Sequence, residues 1–123
     1  MARILVVEDY PDLQLQYETA LKAAGHTVTL AGDGTVALKL AKDSEPDLIL
    51  LDMLLPTMGG LEFLKLYDLK THPHTKVIVF SNMASPELFQ EAKQLGAAGY
   101  LIKAKYTPKE MVAAVTAALP PAR

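Results

Sequence analysis

Five short runs rich in Val, Ile and Leu each lead into a longer segment with helical spacing, and this repeat limits the folds open to the chain. The runs are RILVV, HTVTLA, DLILLD, KVIVFS and AGYLIK. Strands that alternate with helices call for a parallel sheet, because each return to the same edge needs a long crossover. Right-handed crossovers then place helices on both faces. The expected class is α/β: a doubly wound (βα)5 sandwich around a five-stranded parallel sheet. Only the second run alternates polar and apolar, with Val28 and Leu30 on one face, so it is placed at a sheet edge. The run DLILLD is continuously apolar up to its last carboxylate, as in a strand covered on both sides.

The intervening segments carry start and stop signals. Pro11 opens the first helix, which is expected to reach Ala24 with Leu13, Tyr17, Ala20, Leu21 and Ala24 on one face, and Gly25 stops it. GDGTVALKLAKD reads as a short second helix, and a third is expected from about Gly60 to Thr71. Ser85 and Pro86 start the fourth, Gly96 follows its end, and its Leu and Phe stripe is assigned to the core. Thr107 and Pro108 start the fifth, with Val112, Val115 and Leu119 as its buried stripe.

At 123 residues the chain has the length of one domain. It has no cysteine, which excludes disulfide and thiolate chemistry. A net charge of −2 argues against a sequence-independent nucleic-acid footprint, and no apolar run is long enough to span a membrane. The start MARILVVED lacks the pattern of a secretory signal, so a cytoplasmic address is expected. Residues 1–119 are read as the domain and PPAR, 120–123, as a tail or the start of a linker.

In an open parallel sheet, ligands bind beyond the carboxyl ends of the strands. Those ends carry Glu8 and Asp9, Asp52, Ser81 with Asn82, and Lys103. Three clustered carboxylates raise one another's pKa values unless a cation offsets them. Mg²⁺ suits such oxygen ligands, Lys103 and Ser81 suit an incoming phosphoryl oxygen, and Asp52 is left as a carboxylate nucleophile. Taken singly, Asp9 could cap the first helix, Asp52 the following turn, and Ser81 and Lys103 could be ordinary loop residues. Joint placement at four strand ends favours the functional reading. His72–His74, HPH, is read as a polar loop in preference to a metal site.

Together, the acidic pair ED after the first strand, LILLDMLLPTMGG, VIVFSN and GYLIKA resemble the receiver domain of two-component response regulators, over essentially the whole chain. The resemblance implies a flavodoxin-like sheet of order 2-1-3-4-5. It also implies a phosphoacceptor, Asp52, in a phosphorelay signalling switch, not a conventional enzyme. Mg²⁺ would be held by Asp9, Asp52 and the Leu54 carbonyl, with Glu8 acting through water. Ser81 would bond the phosphoryl group and Lys103 would pair with it; Tyr100 would turn inward as Ser81 moves. The implied donor is a sensor histidine kinase or histidine phosphotransfer protein. Output would pass through the face of the fourth helix, fifth strand and fifth helix to a downstream protein, a fused output domain or a second copy, with no direct nucleic-acid or membrane contact.

Three positions depart from the family pattern. Ala104 stands where proline in a cis peptide is usual; a cis bond before alanine costs about 2.5–4 kcal/mol, so a trans bond and a rearranged loop are expected. Asn82 stands where Ala or Gly is favoured and is expected to narrow access to Asp52. Leu54 offers no polar group to assist an attacking water. The last two point to a long-lived phosphoryl state. Tyr10, where a small capping residue is common, could shade the pocket.

The main rival is a receiver-shaped binding or dimerisation module that works unphosphorylated. A phosphatase with an aspartyl nucleophile is disfavoured because the acid/base Asp expected at position 54 is Leu. A flavin carrier is disfavoured because EDYPD would repel a phosphate.

Overall fold

The computed structural model describes residues 2–121, so Ala122 and Arg123 of the expected tail lie outside the described residues. The chain forms β1 (Arg3–Val7), α1 (Pro11–Ala23), β2 (Thr27–Ala31), α2 (Gly34–Ser44), β3 (Leu48–Leu51), α3 (Gly60–Tyr67), β4 (Lys76–Ser81), α4 (Pro86–Gln94), β5 (Gly99–Ile102) and α5 (Pro108–Ala118). All strand pairs are parallel, in the order β2-β1-β3-β4-β5. This is the doubly wound α/β sandwich that the alternating pattern predicts.

Side chains alternate across the sheet, so each inner strand supplies two cores. Leu5, Val7, Ile49, Leu51, Val77 and Val79 face α2, α3 and α4, whose Ala37, Phe63, Leu64 and Ala92 are fully or almost fully buried. Ile4, Val6, Leu48, Leu50, Ile78 and Phe80 face α1 and α5, where Tyr17, Leu21, Met111 and Val115 complete the layer. Apolar burial on both faces explains why β1, β3 and β4 read as continuous runs. In β2, by contrast, Val28 and Leu30 are half-buried while Thr27 and Thr29 are exposed, as an edge strand requires.

Two glycines set how closely the loop after β3 can be approached. A Cβ on Gly34 would lie 2.2 Å from the Met58 carbonyl oxygen, and one on Gly60 would lie 2.7 Å from that of Asp52. Neither position has room for a side chain, so the start of α2 and the start of α3 close directly onto the segment that follows Asp52.

Several helix expectations need correction. Ala24 lies just past α1 and is exposed. The alternative reading of Asp9 as a helix cap does not hold, since Tyr10 occupies the N-cap and makes no side-chain cap bond. The third helix stops at Tyr67, because Asp68 turns left-handed at φ 55°, and Leu69–Thr71 form a separate 3-10 turn. The break lets His72 stack on Tyr67 at 4.0 Å, while the Tyr67 hydroxyl meets Thr75 Oγ1 at 3.2 Å. In α4 only Ala92 is fully buried, and Phe89 is 40 % exposed, so its apolar stripe is surface as much as core. Met111, absent from the expected stripe of α5, is its deepest residue together with Val115, while Val112 and Leu119 are half-buried. The starts at Ser85 and Thr107 form as expected, the latter as a reciprocal capping box with Glu110.

Candidate functional site at the carboxyl rim of the sheet

Glu8 continues the β1 ladder by one residue, its N–H donating to the Ala31 carbonyl at 3.0 Å, and Asp52 does the same after β3 by donating to Val7 at 3.1 Å. Backbone pairing therefore fixes both residues before their side chains make any contact. Glu8 and Asp52 are buried, Asp9 is half-buried, and ligand oxygens from all three lie within 4.8 Å of one another. Two loop bonds add rigidity: Tyr10 N–H donates to Glu8 Oε2 at 3.1 Å, and Gln14 Nε2 donates to the Glu8 carbonyl.

Lys103 reaches this cluster from the end of β5. Its Nζ donates to Glu8 Oε1 and, at 2.7 Å, to Asp52 Oδ2. One ammonium group thus serves two carboxylates and leaves the third outside the pair. Burial pushes the Glu8 carboxyl above its ordinary value, an effect that the Lys103 hydrogen bond only partly offsets. Burial alone would lower Lys103, but its hydrogen bonds to Asp52 and Glu8, with their charges, outweigh that and raise it. The site carries more negative charge than its one cation balances.

Ser81 ends β4 fully buried, and its Oγ accepts from Met83 N–H at 3.2 Å. Tyr100 lies partly exposed on β5, edge-on to Phe89 at 4.6 Å, and its hydroxyl donates to the Met83 carbonyl. Burial, followed by the charge of Asp52, pushes the Tyr100 hydroxyl above its ordinary value. The single-residue readings also hold in part, since Asp52 Oδ1 accepts from Leu54 N–H at 3.2 Å and so stabilises the turn after β3.

The predicted residues Glu8, Asp9, Asp52 and Lys103 therefore come together in one place, with Ser81 at the end of β4 and Tyr100 tied to the loop that follows it. Leu54 is 67 % exposed and Tyr10 64 %, both on the loops flanking the site. The Lys103–Ala104 peptide is trans, as expected for alanine, and Lys103–Lys105 form a 3-10 turn. Sequence reasoning missed Gln14, whose amide sits one turn into α1 and carries no local signal for its bond to Glu8. His72 and His74 lie at the opposite rim, each paired with a carboxylate, and belong to no three-residue metal cluster among the described residues.

Glu8, Asp9 and Asp52 fit a hard divalent cation: the donors are all oxygen, they carry formal charge, and they converge with incomplete compensation.

Comparisons with known proteins point to one family. A family model for the response regulator receiver domain matches residues 4–116. The DNA-binding response regulator MtrA of Mycolicibacterium smegmatis is 32 % identical over 117 residues, covering 95 % of this chain and 50 % of MtrA. The transcriptional regulatory protein YdfI of Bacillus subtilis is 36 % identical over 110 residues, covering 84 % and 48 %. The chain thus spans about half the length of these curated relatives. Among solved structures, the chemotaxis protein CheY4 of Vibrio cholerae superposes with a TM-score of 0.87 at 32 % identity, over 97 % of this chain and 99 % of that one.

Proposed function

This chain belongs to the response regulator receiver domain family, and we propose that it is a phosphoacceptor switch in which Asp52 takes a phosphoryl group in a Mg²⁺-dependent reaction. The observation that carries this reading is the Asp52 carboxylate, buried, 2.7 Å from Lys103 Nζ and clustered with Glu8 and Asp9. The donor is a histidine kinase or histidine phosphotransfer protein. An Asp52 oxygen attacks phosphorus, the O–P bond forms, and the donor's N–P bond breaks with its electron pair leaving on the imidazole nitrogen.

Asp9, Asp52 and the Leu54 carbonyl would hold the metal, with Glu8 acting through water, and the ion would supply charge stabilisation to the transferring oxygens. Lys103 already contacts the attacked carboxylate and passes to a phosphoryl oxygen as the group arrives. Ser81 gives up its bond from Met83 N–H to donate its own proton to a second phosphoryl oxygen. Met83 then shifts, and Tyr100, which bonds the Met83 carbonyl, turns inward. The surface of α4, β5 and α5 reads out the change, to a downstream protein, a fused output domain or a second copy. Leu54 presents no polar group to an attacking water, so the acyl phosphate decays slowly.

Intact mass after incubation with acetyl phosphate tests the reading. One added phosphoryl group is expected with Mg²⁺, and none with EDTA or in Asp52→Asn. An adduct that survives Asp52→Asn would refute the assignment. Absence of an adduct from both acetyl phosphate and a phosphohistidine donor would favour a module that works by docking alone.

A further inference from the structure

The β4–β5 ladder ends at the pair Ser81–Ile102. Among the described residues β5 is an edge strand paired with β4 alone, and no strand pair includes Lys103, one residue further on. A side chain takes over at that point: Asn82 Oδ1 accepts a hydrogen bond from Ala104 N–H at 2.9 Å. The donor exists because residue 104 is not proline. On its other side the 3-10 turn is closed by Tyr106 N–H donating to the Lys103 carbonyl at 3.2 Å. Asn82 therefore adds one rung past the end of the ladder, on the residue that follows Lys103.

The same residue lies between two others with switching contacts. Ser81 Oγ, Asn82 Oδ1 and the Met83 carbonyl accept, in sequence order, from Met83 N–H, Ala104 N–H and the Tyr100 hydroxyl. We propose that Asn82 is a positioning residue for Lys103, holding the ammonium group between Glu8 and Asp52 through the Ala104 amide. The proposal rests on the reading of Asp52 as the phosphoacceptor. It gives Asn82 and Ala104 one joint role and replaces the expectation that Asn82 acts by narrowing the approach.

The test uses Asn82→Ala, which removes bulk and acceptor, Asn82→Leu, which keeps bulk and removes the acceptor, and Asn82→Asp, which keeps both. In the Mg²⁺-free protein, exchange of the Ala104 amide is expected to be about fivefold faster in the Ala and Leu variants and near wild type in Asp. The ammonium ¹H–¹⁵N signal of Lys103, visible while its carboxylate partners hold it, is expected to broaden in the same two. Phosphorylation by acetyl phosphate is expected to slow about tenfold in both. Faster phosphorylation in Asn82→Ala with slow reaction in Asn82→Leu would assign a steric role and overturn the proposal. So would an unchanged Lys103 signal in both. Failure of the wild type to form an adduct would count against the parent reading alone, because the amide and ammonium signals still report on positioning.

Discussion

The two ends of the sheet use the same residue types to opposite effect. At the end where the strands begin, Asp47 accepts from Arg3 N–H at 2.8 Å and from His74 Nε2 at 2.7 Å, and Glu45 meets His72 Nδ1 at 2.7 Å. Arg3 Nη2 donates to the Glu45 carbonyl, and Thr75 Oγ1 to that of Pro46. Each of these carboxylates has its own donors, and the bonds tie the loop before β3 to the loop before β4. At the other end three carboxylates cluster around one ammonium group that bonds only two of them, Glu8 and Asp52, both buried. Bonds that close on themselves fasten a fold; charge left over marks a place where something else binds. The contrast singles out the carboxyl rim as the candidate site.

The largest test of that contrast removes its single cation. Lys103→Met leaves Glu8 and Asp52 buried without their counter-charge, and urea unfolding at neutral pH without metal is expected to show a loss of about 3 kcal/mol. Saturating Mg²⁺ should restore part of it, since a ligand that binds only the folded state stabilises by mass action. At the fastened end, Asp47→Ala is expected to cost about 1–2 kcal/mol in the same assay and to leave Mg²⁺ affinity unchanged, because the lost bonds are structural.

A smaller effect of opposite sign is expected from Asp9→Asn. Removing one of three like charges should raise the metal-free protein by about 1 kcal/mol, roughly 3–5 °C in Tm for a domain of this size. Stabilisation by Mg²⁺ should fall at the same time. A lower Tm would mean that the cluster is balanced after all. The smallest effect concerns His26, whose Nδ1 accepts from Ala2 N–H. Burial holds its pKa below the ordinary 6.5. The folded state thus favours the neutral ring, so its contribution is present above about pH 6.5 and is lost as pH falls through the lowered value. Urea midpoints between pH 8 and 5 should decline more steeply for the wild type than for His26→Asn.

What could be read from the sequence follows the same division. Glu8 with Asp9, Asp52, Ser81 and Lys103 close apolar runs, and strand ends in a parallel sheet lie at one rim, so their placement there follows from the sequence pattern. His72 and His74 pair with residues 27 positions away, across two loops whose spacing carries no periodic signal. The end of α3 was hidden because left-handed Asp68 has no glycine to announce it. Asn82 and Ala104 were visible as separate departures from a pattern; that they are partners depends on where the β4–β5 ladder stops. Phe89 reads as core by type, and only the shallow seating of α4 explains its exposure.

The most direct measurement is a Mg²⁺ titration of the ¹⁵N-labelled protein followed residue by residue. A surplus-charge site at the carboxyl rim predicts saturable shifts, at one equivalent, of the amides at positions 8–10 and 52–55, with those of Glu45, Asp47, His72, His74 and Thr75 unmoved. Shifts centred on Glu45, Asp47, His72 and His74, or none at millimolar Mg²⁺, would contradict it.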